Sequence, residues 1–571
     1  MKHLKPHHYR ISLCTRILLV FIFLTYPSII HPVSAQPKQD KLHYLNLSFE
    51  NQTPAKYPYG WYIEGDYEKS TVKVVKTSQA LEGEHTVKIT VGSDEPTILY
   101  TPLPGFLGCM KNIEVNVSSR GEGKAQASLF FIIPGEGFDL LEPKTVSSEW
   151  TNIQHTKSSN VGCIEVSPLI GIFSSGTGIV EFDDITILIN GEAYQSVSQP
   201  SFTITQDNID ALNSVAHPIT EPGTSFLPAG STITNLLSRK IIALGENSHG
   251  AAKLFSLKQS LIETFVKHGA RTFALETPAA AADGINDYIL GHVDDRDVMI
   301  SLLVYPAWQT KEMLSIIDWF KQYNSTTEEK ITFAGFDIQQ PQIALRALGK
   351  RPLISSNEKY KKTYNDLIIL FQEGDIENTL QKATAFEKTL PQEANHERRY
   401  LRLFRRGLLS DRQDLGGKSR EAYMADEVKI LAKGTSSQVI LWADNTHITK
   451  TDGGMGQFLY QTFDQDYVAV GFTFESGFYS AYGPEKRYAV ELPFAGTHEA
   501  ILAAANEDAY LIALDDLAQS HPLRARHSFR YIGSRPVKFN QFYPHILIKH
   551  FDIIGFVRAT KATSYVIDHN F

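Results

Sequence analysis

The chain has 571 residues, of which 42% are hydrophobic and 11% aromatic, so it is longer than one ordinary domain and too apolar for a disordered protein. Its formal net charge of −8 argues against a nucleic-acid-binding protein, whose surface usually carries an excess of basic residues. No Gly-x-Gly-x-x-Gly or P-loop motif follows a predicted strand, which argues against a nucleotide cofactor. We therefore expect a multidomain protein.

Residues 1–35 have the pattern of a secretory signal peptide. Basic residues come first, an apolar run follows at 17–25, and Val33, Ser34 and Ala35 supply small residues before a cleavage site at Gln36. A membrane anchor is the rival interpretation, but the apolar run is shorter than the roughly 20 residues that a spanning helix needs. The sequence therefore predicts a secreted or periplasmic bacterial protein, with no stable membrane span after cleavage.

Two cysteines, Cys109 and Cys163, remain once the leader has been removed. An exported protein enters an oxidising compartment, where these two thiols can form a disulfide. Two unpaired buried thiols fit the sequence as well, because the sequence does not give the distance between them.

Residues 41–196 are predicted to form an all-β domain. Short apolar runs, such as 85–91 and 127–133, are separated by clusters of Gly, Pro, Asn and Asp, and helical periodicity is almost absent. Several short strands at this spacing are typical of a β-sandwich.

The segments at the two ends of this domain, 45–50 and 180–185, resemble those of jelly-roll modules of the carbohydrate-binding kind. Such a module can bind a glycan, and Trp61, Tyr62 and Tyr67 are candidates for stacking on a sugar ring. Aromatic residues of the core or rim are the alternative interpretation.

A polar linker at 196–205 leads into residues 205–571, where strand and helix patterns alternate. Near-continuous apolar strands between helices predict an α/β domain with a largely parallel sheet. Residues 341–435 are mostly helical in pattern and would form a helical insertion. The predicted strands lie at 240–244, 271–275, 330–336, 438–443 and 467–474.

Acidic residues stand at the ends of four of these strands. They are Glu246, Glu276, Asp337 and Asp444, and two histidines lie close by in sequence, His249 and His447. Parallel strands end at the same edge of a sheet, where the active sites of open α/β folds lie. A histidine oriented by a carboxylate is a suitable general base near neutral pH, although Asp and Glu also cap the helices that follow strands.

From about residue 225 to 560 the sequence resembles the erythromycin esterase family. The resemblance is carried by motifs in a fixed order: 244–250 (Leu-Gly-Glu-Asn-Ser-His-Gly), 273–276, 308–312, 318–319, 323–324, 335–339, Arg420 with Met424, 442–447 (Trp-Ala-Asp-Asn-Thr-His), 530–533 and 551–552. It implies hydrolysis of an ester or lactone by water, without an acyl-enzyme. His249 would be the general base, and Glu246, Glu276 and His447 would line the same cleft.

The resemblance also implies roles for four further residues. Lys258 could stabilise the charge of a developing oxyanion, unless it is an ordinary lysine on a solvated helix face. Trp308, Asp337 and Arg420 would bind or orient the substrate, and a structural role fits Trp308 and Asp337 equally well.

Asp444 departs from the pattern of the family, in which the motif at 442–447 commonly has histidine at this position. The substitution adds negative charge to an acidic cleft, and it leaves open whether macrolides are substrates. No cofactor is the first expectation. Zinc is the alternative, and its ligands would come from His249, Glu276, His447 and Asp444. The local spacing is not the His-Glu-x-x-His motif, so the sequence does not decide between them.

A serine nucleophile is not expected, because the chain has no Gly-x-Ser-x-Gly motif. The sequence thus predicts an exported hydrolase that cleaves a carboxylic ester or a macrolide lactone, and so antibiotic resistance as its biological role. Three alternatives remain: an esterase acting on cell-surface or extracellular polysaccharide, a metal-dependent peptidase-like hydrolase, and a non-catalytic binding protein.

Overall fold

A computed structural model describes most of the chain. The described residues are 46–50, 52, 56–58, 61–64, 70–102, 110–133, 136–162, 169–194, 204–219, 232–482, 487–490, 492–493, 497–537 and 541–567. The predicted signal peptide, Cys109, Cys163 and Tyr67 lie outside them. In the ranges described, no helix has the length and apolar composition needed to cross a membrane.

The N-terminal part is an antiparallel β-structure, as predicted. Its ten strands are β1 (Tyr62–Glu64), β2 (Thr71–Lys76), β3 (His85–Pro102), β4 (Met110–Gly123), β5 (Gln126–Ile133), β6 (Gly137–Leu140), β7 (Lys144–Thr145), β8 (Thr151–Gly162), β9 (Leu169–Ile189) and β10 (Glu192–Ala193). Strand β9 pairs with β3 along one edge, and with β5 and then β4 along the other.

The long strand β9 supplies both halves of a single core. Ile172 from its first half and Phe182 from its second half belong to the same buried cluster, so the sheet folds over itself as a sandwich. Trp61 belongs to this core too: it is 1% exposed and its indole donates a hydrogen bond to the Asn46 carbonyl. The sugar-stacking interpretation of Trp61 is therefore wrong, whereas Tyr62 is half-buried and stacks on Tyr100.

The C-terminal part contains a mostly parallel sheet, as predicted. Its strands are β11 (His217–Pro218), β12 (Ile241–Leu244), β13 (Thr272–Pro278), β14 (Thr332–Asp337), β15 (Val439–Trp442), β16 (Tyr467–Tyr479), β17 (Tyr488–Ala489), β18 (Ala509–Ala513) and β21 (Ile553–Thr560). The order is β11-β18-β21-β16-β12-β15-β13-β14, with β17 paired to β16. The strands from β14 to β21 are parallel, and β18 and β11 add antiparallel pairs. A separate hairpin joins β19 (Arg526–Arg530) and β20 (Phe542–Ile546).

Helices cover both faces of this sheet. They are α1 (Gln206–Val215), α2 (Ala252–Lys267), α3 (Ala279–Ile289), α4 (Arg296–Leu302), α5 (Lys311–Thr326), α6 (Pro341–Gly349), α7 (Pro352–Ser355), α8 (Glu358–Gln372), α9 (Ile376–Thr389), α10 (Asn395–Leu409), α11 (Arg420–Gly434), α12 (Asn445–Ile448), α13 (Met455–Phe463), α14 (His498–Leu502) and α15 (Leu547–His550).

The apolar strands are buried on both faces, which explains why their sequences are nearly continuous in hydrophobic residues. In β12, Ile242 and Leu244 face the core beneath α2 and α5, while Ile241 and Ala243 face the core beneath α11 and α13. Helices α6 to α10 form the predicted insertion between β14 and α11 and have a core of their own. This arrangement leaves the carboxyl ends of β12 to β15 side by side.

Candidate active site

The six strand-end residues meet at this edge of the sheet. Glu276 lies within β13 and Asp337 is the last residue of β14, whereas Glu246 and Asp444 stand two positions beyond the last residues of β12 and β15. Their side chains and those of the two histidines form two connected clusters. One contains Glu246, His249 and Asp444, and the other contains Glu276, Asp337 and His447.

Two glycines allow the turn after β12 to take its position. A β-carbon on Gly245 would come within 2.2 Å of the Asn445 side-chain oxygen, and one on Gly250 within 1.9 Å of the Ser480 carbonyl oxygen. No side chain fits at such distances, so the spacing of the motif depends on glycine at both places. The His249 amide donates to the Gly533 carbonyl at 3.3 Å and fixes the turn from the other side.

Glu246 is the centre of the first cluster. One oxygen lies 2.6 Å from His249 Nδ1, and the other accepts hydrogen bonds from Lys258 Nζ and Trp442 Nε1, both at 2.8 Å. Glu246 and Lys258 are fully buried, and Lys258 also lies 4.0 Å above the Trp442 ring. An ionised carboxylate only accepts hydrogen bonds, so Nδ1 of His249 carries a proton.

The buried charges shift the pKa values of this cluster. Burial raises the pKa of Glu246, but the Lys258 charge and the bond to His249 outweigh it, so the pKa is lowered. Burial lowers the pKa of Lys258 to about 8 against the opposing charge of Glu246. Burial lowers the pKa of His249, but the Glu246 hydrogen bond and the charges of Glu246, Glu276 and Asp444 raise it to about 9. At neutral pH His249 is therefore mainly an imidazolium ion.

Asp444 divides its carboxylate between two tasks. Its Oδ1 caps helix α12 by accepting from the Thr446 amide and hydroxyl, both at 2.9 Å. Its Oδ2 is buried, has no hydrogen-bond partner among the described residues, and lies 4.0 Å from His249 Nε2. Burial raises the pKa of Asp444, and the positive charges of His249 and His447 oppose that rise only in part.

Glu276 is the centre of the second cluster. One of its oxygens lies 2.9 Å from Arg420 Nη2 and 3.1 Å from His447 Nε2, and the other accepts from the Asp444 amide. His447 Nδ1 lies 2.9 Å from the Glu421 carboxylate. Burial raises the pKa of Glu276, but the charges of His447 and Arg420 outweigh it and hold that pKa well below its usual range. Burial lowers the pKa of His447, but the charges of Glu276 and Glu421 outweigh it and hold that pKa well above its usual range.

Arg420 ties the second cluster to β14. Its Nε and Nη2 donate to the two oxygens of Asp337, each at 3.0 Å, in the bidentate geometry that guanidinium and carboxylate favour. The Tyr305 hydroxyl donates to the same carboxylate at 2.6 Å. Burial lowers the pKa of Arg420, but the charges of Asp337 and Glu276 raise it well above the ordinary value.

Trp308 forms a wall next to His249. The two rings meet edge to face with their centroids 5.3 Å apart, and the indole donates to the Glu276 carbonyl at 2.8 Å. Trp308 is 1% exposed, so it shapes the cleft by packing rather than by offering a polar group to the substrate.

Lys258 does not occupy the predicted place. Its ammonium is fully buried behind Glu246, so a direct contact with an oxyanion in the cleft has no support in this arrangement. The candidate zinc ligands are also held by other partners, since Glu276 binds Arg420 and His447 while His249 Nδ1 binds Glu246. Within the described ranges, no group of three or more His, Cys, Asp and Glu side chains is arranged to hold a metal ion.

Sequence reasoning missed three contributors to the cleft. Glu421, Tyr305 and the indole of Trp442 each bind a predicted site residue directly. Glu421 follows Arg420 in the first turn of α11. Acidic residues are common in the first turn of a helix, so nothing in the sequence marks Glu421 as a residue of the site. Trp442 could have been suspected, because it is the last residue of the strand that precedes Asp444.

The fold and the cleft together define an α/β protein with a two-cluster carboxylate–histidine site at the carboxyl edge of its sheet. Such a site can move protons to and from a bound water and a reacting oxygen. The family model for erythromycin esterase matches residues 265–351 and 356–560, just over half of the chain. The match includes Glu276, Asp337, Arg420 and the motif of β15, and it begins after His249.

Individual relatives agree with this match. Erythromycin esterase type II from Escherichia coli is 28% identical over 305 residues, which cover 43% of this chain and 71% of that protein. Two solved structures share the fold. A succinoglycan biosynthesis protein has a TM-score of 0.55 at 21% identity, and a protein from Bacillus cereus has 0.54 at 19%; each comparison covers 64% of this chain and 100% of the other. The chain belongs to the erythromycin esterase family and is a hydrolase of that family.

Proposed function

We propose that this protein hydrolyses a carboxylic ester, with a macrolide lactone as the first candidate substrate, by general-base activation of water where Glu246, His249 and Asp444 meet. The observation that carries the proposal is the pair formed by His249 Nε2 and Asp444 Oδ2, two proton-transfer groups 4.0 Å apart in side chains that are 14% and 4% exposed. Membership of the family supports ester hydrolysis as the reaction.

Water rather than a serine is the proposed nucleophile. Ser248 is fully buried and its hydroxyl accepts from the Gly250 amide at 3.2 Å, so it is a residue of the turn. The water oxygen would bond to the carbonyl carbon as its proton passes to a base, and the carbonyl electrons would move to the oxygen. Collapse of this intermediate breaks the C–O bond, and the leaving oxygen takes up a proton. The product differs from the substrate by one water.

The charges of the cleft favour a substrate that is not an anion. Each cationic side chain described above, on Lys258, His249, Arg420 and His447, already binds a carboxylate. The resemblance to the Escherichia coli esterase makes macrolides the first substrates to test, and opening the lactone would inactivate the drug. Asp444, which stands where the family commonly has histidine, is the reason to test simple esters and acylated polysaccharide beside them.

Mass spectrometry of substrates after incubation tests the proposal. The protein beginning at Gln36 would be compared with its His249→Asn variant and with His292→Asn. His292 is a matched control because its side chain is 65% exposed and pairs with Asp287 rather than with a residue of the cleft. A chelator-treated sample would test the expectation that zinc is absent. A gain of one water that His249→Asn abolishes and His292→Asn retains is expected. Hydrolysis of a macrolide or an alkyl ester at the parent's rate in His249→Asn would contradict the proposed site.

Export and glycan binding are further proposals. Cleavage after Ala35 would be established by N-terminal sequencing of protein recovered from the periplasm or medium. Binding of the full chain to polysaccharides would be compared with that of a Tyr62→Ala variant, since Tyr62 is the described aromatic of the predicted trio that lies outside the main core. Glycan binding would give the enzyme access to surface esters.

A further inference from the structure

The Asp444 carboxylate has an oxygen that the fold does not use. Oδ1 alone caps α12, and Asn caps a helix about as well as Asp. A buried polar atom without a partner costs free energy, so its retention calls for a reason. Oδ2 of Asp444 is such an atom among the described residues, in a side chain only 4% exposed.

His249 is oriented toward that oxygen. Glu246 holds Nδ1 at 2.6 Å, and Trp308 packs edge-on against the ring, so Nε2 is fixed near Asp444. A separation of 4.0 Å is too long for a direct hydrogen bond. A water oxygen about 2.8 Å from each atom fits between them with an angle of about 90° at the water, within reach of both groups.

We infer, resting on the proposed function, that Asp444 rather than His249 takes the proton from the attacking water, and that the His249 imidazolium protonates the leaving oxygen. In the first step the water O–H bond breaks, its proton goes to Asp444 Oδ2, and the O–C bond to the carbonyl carbon forms. In the second step the C–O bond to the leaving group breaks and His249 Nε2 gives it a proton. Asp444 then returns its proton to His249 through solvent.

The charges around the pair favour this division of roles. Glu246 is kept anionic by Lys258 and the Trp442 indole, and its charge stabilises the protonated imidazole next to it. The raised pKa of His249, about 9, agrees with an acid at neutral pH, whereas a general base must begin unprotonated. A carboxylate at 444 is the nearby group that can accept the proton.

Esters with different leaving groups separate the two roles. An alkoxide needs a proton to leave, whereas a nitrophenolate does not, so loss of the acid affects alkyl esters more than nitrophenyl esters. Loss of the base affects both. The variants are Asp444→Asn, which keeps the helix cap, and His249→Asn. Asp295→Asn is the matched control, because Asp295 caps α4 by accepting from the Val298 amide and is exposed.

For Asp444→Asn we expect kcat to fall about 10²- to 10⁴-fold on alkyl and nitrophenyl esters alike, the usual range for a general base. For His249→Asn the loss on nitrophenyl esters should be at least about tenfold smaller than on alkyl esters. Equal losses of His249→Asn on both ester classes, or an Asp444→Asn variant that retains its kcat, would overturn the inference.

A second measurement decides the matter even if no ester is hydrolysed and the proposed function fails. In protein with nitrogen-15-labelled histidine, the NMR signals that disappear in His249→Asn belong to His249. Two protonated ring nitrogens at pH 7 are the expected result. A neutral ring with an unprotonated Nε2 would make His249 the base and refute the assignment.

Discussion

Lys258 and Glu246 form an ion pair with no exposure to solvent, in which Nζ lies 2.8 Å from Oε2. Removing two charges from water is costly, and their attraction offsets that cost only when the remaining hydrogen-bonding capacity is also satisfied. Here Trp442 and His249 complete the bonds of Glu246. The pair thus holds a carboxylate anionic beneath His249, which links the packing of α2 to the protonation of the cleft.

Replacement of Lys258 by methionine should strongly destabilise the C-terminal part. The change leaves Glu246 buried without its counter-charge, and breaking a buried pair from one side typically costs about 3–5 kcal/mol. Thermal unfolding followed by circular dichroism would measure it. Lys267→Met, at the exposed end of the same helix, is the matched control. Its free energy of unfolding should stay within about 0.5 kcal/mol of that of the parent. Equal unfolding temperatures for the two variants would contradict the claim that the buried ion pair stabilises the fold.

Replacement of Arg420 by lysine should lower ester hydrolysis at least about tenfold although the charge is kept, because an ammonium cannot bond both oxygens of Asp337 and Glu276 in the fork geometry. The exposed pair Arg412–Asp414 has the same bidentate contact, at 3.0 and 2.9 Å. Arg412→Lys is therefore the control, and its kcat/KM should match that of the parent. If the two lysine variants retained equal activity, the bidentate contact between Arg420 and Asp337 would have no catalytic importance.

Much of this architecture is readable from the sequence, and the reasons are physical. A strand buried on both faces needs a continuous run of apolar residues, so β12, β13 and β15 can be recognised in the sequence. Because these strands are parallel, the acidic residues near their carboxyl ends lie at one edge of the sheet. Lys258 shows what the sequence cannot give. A lysine among apolar residues on α2 fits a solvated face, a cleft or a buried pair, and only the position of Glu246 selects the last.

The same limit applies to Asp444. Its cap of α12 is visible in the local sequence, because Asp before a short helix is common. The unused Oδ2 and its distance to His249 depend on how β15 pairs with β12, a contact between segments nearly two hundred residues apart. The resemblance to a family marks the position as unusual, and the geometry shows what the change could do.

Activity should fall on the alkaline side. Lys258, with a pKa of about 8, and His249, with a pKa of about 9, both lose their protons as pH rises through this range. Glu246 then loses its counter-charge and the leaving oxygen loses its proton donor. We expect kcat/KM for alkyl esters to fall about tenfold per pH unit from about pH 8 and more steeply above about pH 9, where both protons are lost. Circular dichroism at each pH controls for unfolding. A rate that climbs through pH 9 would indicate a neutral imidazole as the base.

The protein should also lose stability in mild acid, because of a second group of histidines. His498 is fully buried, with its ring centroid 5.3 Å from that of His527, and its Nε2 lies 3.1 Å from the His545 carbonyl. Burial, followed by the charges of His527, His545 and His550, lowers the pKa of His498 well below 6.5. His550 in turn lies 3.2 Å from the Asp452 carboxylate.

A depressed histidine pKa in the folded state means that the unfolded chain binds the proton first. The stability contributed by a neutral His498 is therefore present above pH 6.5 and is lost as pH falls from 6.5 toward the folded-state pKa, by up to about 1.4 kcal/mol per pH unit. His249 and His447 act in the opposite sense as pH falls through 6.5, because their raised pKa values mean that the unfolded chain then gains protons that the folded chain already holds. This contribution is common to the parent and to a variant at residue 498, so it cancels when the two are compared. Carboxylates with lowered pKa values act only at lower pH.

Urea unfolding at pH 7.0 and 5.5 measures the effect as a difference between two free energies, so a general weakening of the variant cancels. His498→Gln should show a smaller difference than the parent, and His292→Gln, altered at an exposed histidine, should show the same difference as the parent. Part of the acid sensitivity should remain in His498→Gln, since burial also lowers the pKa values of His217 and His521. An unchanged difference in His498→Gln would mean that the buried ring is not the group whose protonation unfolds the protein.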